Sequence, residues 1–127
     1  MFEVVGGQAY FDALVEAFYA RVERDAALRR LYPDDLEPGK QALALFLGQY
    51  WGGPPVYSER KGHPRLRMRH APFRIDQAAR DAWLAAMRAA VDASDAPDVV
   101  RPVLYEYFEM ASTAMINAPG PSATMGT

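Results

Sequence analysis

The 127-residue chain has no cysteine and only two histidines, His63 and His70. The lack of cysteine excludes disulfides, thiolate metal sites and thiol catalysis, and fits a reducing compartment. No apolar run is long enough to span a bilayer. The opening Met1-Phe2-Glu3-Val4-Val5-Gly6-Gly7 has neither the basic nor the long apolar region of a signal peptide, so the expectation is a cytoplasmic protein with no membrane partner. Phosphate loops, nucleophile elbows and dinucleotide fingerprints are missing. Strand alternation and internal repeats are missing too. The length sets one domain with a real core, and the apolar fraction of 50% with 24% charged residues is ordinary for a globular protein.

What is present is all helical in pattern. Phe11, Leu14, Val15, Phe18 and Val22 make a 3.6-residue stripe over Ala9–Arg24, entered through Gly6-Gly7. A short helical turn at Ala26–Leu31 closes at Tyr32-Pro33. A longer helix starts near Pro38, buries Leu43, Phe46, Leu47 and Tyr50, and stops at Gly52-Gly53-Pro54-Pro55. Residues 52–63 read as an irregular connection. Pro64 and Pro72 bracket a short helix that ends near His70. Asp76 caps a helix with Ala79, Trp83, Met87, Ala90 and Val91 on one side. The last helix runs from near Val99 to about Asn117 with Val100, Val103, Leu104, Tyr107, Ala111, Ala114 and Met115 buried, and holds Pro102 in its first turn.

Charge is strongly segregated. Residues 60–74 carry Arg60, Lys61, Arg65, Arg67, Arg69 and Arg74 with no carboxylate, while the whole chain is −2, so the remainder sums to −8. A positive strip on an acidic protein points to an anion held at one place. Tyr50, Trp51, Tyr57 and Phe73 flank it, which suits an apolar molecule with acidic arms. A solvated charged face is the plain alternative. Nucleic acid is the rival ligand, disfavoured by the pI near 5.6 and by the lack of any recognition signature.

His70 reads either as a helix-capping residue or as a metal ligand. In the second case a free carbonyl of the last turn takes the Nδ1 proton and neutral Nε2 faces the metal. No HExxH, CxxC or facial carboxylate set accompanies it, so a lone histidine suffices only if a cofactor such as haem supplies the other ligands. Tyr19, Tyr32 and Trp83 read as core aromatics or as convergent hydrogen-bond donors around a polar diatomic molecule.

Several segments carry a more specific signal: Phe18-Tyr19, Tyr32-Pro33, Tyr50-Trp51-Gly52-Gly53-Pro54, Tyr57-Ser58-Glu59-Arg60, the run from Gly62-His63-Pro64-Arg65 through His70-Ala71-Pro72-Phe73-Arg74, and Asp81-Ala82-Trp83-Leu84. On these the chain resembles the group II (O-type) truncated haemoglobins from Gly6 to about Asn117. The resemblance implies an all-α two-over-two helical sandwich around haem b over residues 1–117, while the composition of 118–127, Ala-Pro-Gly-Pro-Ser-Ala-Thr-Met-Gly-Thr, reads as a disordered tail. It implies His70 as the proximal iron ligand and Tyr19, Tyr32, Trp83 and Gly39 on the distal side. Leu43, Phe46, Met68 and Phe73 would contact the cofactor, and Tyr57, Lys61, His63 and Arg69 its propionates. Gly39 falls at a gate position that bears a larger residue in other globins, and Ala42 replaces an arginine that could reach a propionate. The implied function is reversible binding of O₂, and of CO, NO, cyanide or sulfide, for oxygen transport or for NO or peroxide detoxification. Such turnover would need an electron-donor reductase, and the family admits a homodimer.

Overall fold

A computed structural model of the chain describes residues 1–65, 68, 70 and 73–118. All regular elements among them are helices: α1 (Gln8–Arg24), α2 (Ala26–Arg29), α3 (Glu37–Tyr50), α4 (Val56–Lys61), α5 (Gln77–Asp92) and α6 (Arg101–Ala114). Helix α1 packs on α3 and α5 packs on α6, while α1 also lies against α5 and joins the two pairs. This is the expected two-over-two sandwich. The tail expected over 118–127 lies, from Pro119 onward, outside the described residues.

The α1 stripe is buried as its periodicity predicts, with Tyr10 and Tyr19 added to it. Gly7 stands at the N-cap with φ 75°, a left-handed conformation that costs glycine nothing. Its amide donates to the Phe2 carbonyl at 2.9 Å, turning the N-terminal segment back over the core. Asp25 caps α2 by accepting from the amides of Ala27 and Leu28.

Three expectations need correction. Tyr50 is 50% exposed rather than buried. Helix α3 turns its small residues, Ala44 and Gly48, toward α1, where the Gln8 side chain donates to the Ala44 carbonyl at 2.8 Å. That roll leaves Leu43 and Phe46 half-buried on another face and moves Tyr50 outward, its ring 4.4 Å from that of Tyr107. Residues 56–61 are helical rather than irregular. Tyr57 is buried edge-on to Phe46 at 5.5 Å, and the Gln49 side chain both accepts from the Ser58 amide and donates to its hydroxyl. These are long-range ties that six residues of local pattern cannot reveal. Val103 (46% exposed) and Ala114 face outward rather than inward, because α6 buries Leu104, Phe108 and Ser112 instead.

Asp76 caps α5 as expected, accepting from the Ala79 amide at 2.9 Å. The far end of α5 is closed by Arg101, whose guanidinium donates to the carbonyls of Asp92, Ser94 and Ala96. Because α5 carries one wall of the cavity described below, its first turn matters to the site. Replacing Asp76 with Ala should cost about 1 kcal/mol and lower the thermal midpoint by roughly 3–5 °C. A circular-dichroism melt superimposable on the parent's would show that the cap contributes nothing.

Candidate functional site

Between the two helix pairs lies an elongated cavity of about 380 Å³ with walls that are overwhelmingly apolar. That is within the usual range for a small-molecule or cofactor site, roughly 300–1,000 Å³. Helix α1 contributes Tyr19, the α2–α3 connection Tyr32, α3 Gly39, Leu43 and Phe46, and α4 Tyr57. His70, Phe73 and Ile75 come from the segment before α5, and Trp83 from α5 itself. Of the residues singled out in the sequence, these are brought together: Tyr19, Tyr32, Gly39, Leu43, Phe46, Tyr57, His70, Phe73 and Trp83.

Lys61, His63 and Met68 are exposed and do not line the cavity. His63 Nδ1 accepts from the Arg65 amide at 3.0 Å, so in the neutral ring the proton sits on Nε2. Arg69 lies outside the described residues. The wall also includes Ala79, Ala111 and Met115, read in the sequence as stripe residues of their helices, and Ile75 and Phe108, which the sequence reading did not name. Phe108 lies four residues after Leu104, on the stripe that continues to Ala111 and Met115, so the signal that could have found it was present.

The polar atoms in this apolar space belong mainly to aromatic rings. Tyr19 stands edge-on to Tyr32 at 5.5 Å, and Trp83 packs on Phe18 at 5.2 Å. Trp83, half-buried, lines the same cavity from α5. Burial holds the Tyr19 hydroxyl protonated up to about 12. Tyr32 is pushed up by burial first and then by Tyr19 beside it, with the nearby Trp83 indole opposing. A Cβ at Gly39 would stand 2.9 Å from the Tyr19 hydroxyl oxygen, so glycine gives that ring its space. Among the described residues no three His, Cys, Asp or Glu side chains could share a metal ion. His70, the histidine of this cavity, could therefore ligate a metal only within a group that supplies further ligands.

A family profile for the bacterial-like globins matches residues 1–117. The chain belongs to this globin family. Group 2 truncated hemoglobin YjbI of Bacillus subtilis (strain 168) is 39% identical over 111 residues, which are 87% of this globin and 84% of that protein. The crystal structure of hemoglobin from the thermophilic phototrophic bacterium Chloroflexus aurantiacus matches with a TM-score of 0.90 at 56% identity, over 92% of this globin and 97% of that chain. The group II truncated hemoglobin from Bacillus anthracis matches with a TM-score of 0.90 at 37% identity, over 94% and 97%.

Haem, usually haem b, is the cofactor of these globins. The cavity fits such a group on its own terms. Its apolar walls suit a macrocycle, one imidazole is at hand, and among the described residues no cluster of three His, Cys, Asp or Glu would draw the metal out of such a group.

The tyrosines give the globin an alkaline signature. An unfolded tyrosine ionises near 10.0, whereas burial keeps Tyr19 and Tyr107 protonated to about 12. Folded-state values above the unfolded ones mean stability is intact below pH 10 and falls as pH rises from 10 to 12. Denaturant unfolding at pH 9, 10.5 and 12 should show this fall, reduced in Tyr19→Phe. A parent stability flat across that window would mean the rings are solvated.

Proposed function

We propose that this globin binds O₂ and comparable diatomic ligands reversibly, with His70 as the ligand that its chain offers to haem iron. The observation that carries this reading is the convergence on one apolar cavity of an imidazole and three aromatic donors, Tyr19, Tyr32 and Trp83. When bound, ferrous haem supplies a coordination position that O₂, CO or NO can take up and leave.

The chain's own residues then do the following work. Leu43, Phe46 and Phe73 keep water away from an apolar ring system. Tyr19 and Tyr32 are neutral across the physiological range, so their hydroxyls donate at every relevant pH. Trp83 lines the same cavity, so its indole N–H is a third donor available to a ligand. Trp83 can itself only donate, from a ring packed between Phe18 and Phe108. Lys61, His63 and Arg69, with the Tyr57 hydroxyl, are the groups we assign to the acidic arms of the cofactor. The exposed position of Lys61 and His63 fits carboxylates at the solvent edge. Reversible binding needs no partner. Turnover of NO or peroxide would need an electron-donor reductase and is a secondary reading.

The anchor is tested with His70→Ala. The parent should show a Soret band, and the variant should lose haem far faster because only apolar packing and rim charges remain. Full haem occupancy with an unchanged ferrous spectrum would mean that another group serves the iron. The donors are tested with Trp83→Phe. A hydrogen bond to a charged partner is worth roughly 1.5–3 kcal/mol, so O₂ dissociation should speed up about 10- to 150-fold, with CO dissociation moving much less. Stopped-flow O₂ release within about twofold of the parent would reduce the indole to a packing residue.

A further inference from the structure

The segment from His70 to Ile75 joins the cavity's imidazole to α5, and its main chain is satisfied from 42 to 47 residues away. Asn117 lies beyond the C-terminal end of α6. Its Nδ2 donates to the His70 carbonyl at 3.2 Å and to the Phe73 carbonyl at 2.8 Å. Its Oδ1 accepts from the Ile75 amide at 2.8 Å. In return the amides of Asn117 and Ala118 donate to the Ile75 carbonyl at 2.8 and 3.1 Å. One carboxamide therefore uses both of its protons and its oxygen on this single segment. The His70 carbonyl, which also accepts from the Phe73 amide at 3.0 Å, is held from two directions.

We infer that Asn117 is a positioning residue for His70: it sets where the histidine's main chain sits and so how firmly the imidazole can be presented to the iron. The inference rests on the proposed role of His70. The chain just beyond α6, a wall helix of the cavity, thereby holds the backbone of the residue that faces the same cavity. Only asparagine or glutamine offers a geminal pair of donors with an acceptor at one neutral end, and the direct reach seen here suits the shorter one. The bonds are solvent-exposed, so each adds little to stability; their effect is on geometry.

Two variants divide the carboxamide. Asn117→Ala removes everything, whereas Asn117→Asp keeps the acceptor for Ile75 and removes both donations to His70 and Phe73. In the haem-loaded ferrous protein, the Fe–His stretching band in resonance Raman should shift or broaden in both variants, and haem loss should accelerate about fivefold. Hydrogen exchange at the Ile75 amide should speed up in Asn117→Ala and stay near the parent's in Asn117→Asp. A fold-only role would alter exchange and leave the Raman band in place. A band and haem-loss rate within experimental error of the parent in both variants overturn the inference. A parent with no Fe–His band at all overturns the His70 reading beneath it.

Discussion

Holding an apolar cavity of about 380 Å³ open between four helices is the constraint on which the rest of this small fold depends. Left dry and unfilled, such a volume would cost an amount comparable to the whole net stability of a domain this size. The chain meets the demand with rings set among aliphatic side chains: Tyr19, Tyr32 and Trp83 line the cavity with Leu43, Leu47 and Ile75, and Phe108 and Phe18 bracket Trp83. Rigid side chains hold helices apart without collapsing into the gap, and what occupies the cavity then adds its own binding free energy to the folded state.

Polarity is distributed to match. Inside, the hydroxyl and indole groups remain uncharged, because burial raises the tyrosine values well beyond the physiological range. Full charges are kept to the rim and the surface, where the strip over residues 60–74 concentrates positive charge in an otherwise acidic chain. A neutral ligand deep in the site and an acidic group at its edge are the natural complements. The membership of the chain in the bacterial-like globins, with haem as the family's cofactor, agrees with both.

Much of this was legible without coordinates. The α1 stripe and the Asp76 cap are local signals, and they fall where periodicity and capping chemistry put them. Tyr19, Tyr32, Trp83 and His70 were readable as chemistry-bearing residues from their polar hydrogens and from the family resemblance, and the structure lines one cavity with all four. Less was legible where the determining contact is distant. Helix α4 depends on Tyr57 beneath Phe46 and on the Gln49–Ser58 pair. The roll of α3 depends on how closely Ala44 and Gly48 approach α1.

The sequence by itself determined every described helix but α4, the Asp76 cap, the segregation of charge and the inventory of donors, since these follow from short-range periodicity and from residue chemistry. Only the tertiary structure decided which face of α3 and α6 turns inward, that α4 is a helix, that Gly39 makes room for the Tyr19 hydroxyl, and that Asn117 holds the backbone of His70. Each of these rests on groups brought within a few ångströms of one another from different elements of the chain, and no pattern within one element encodes that proximity.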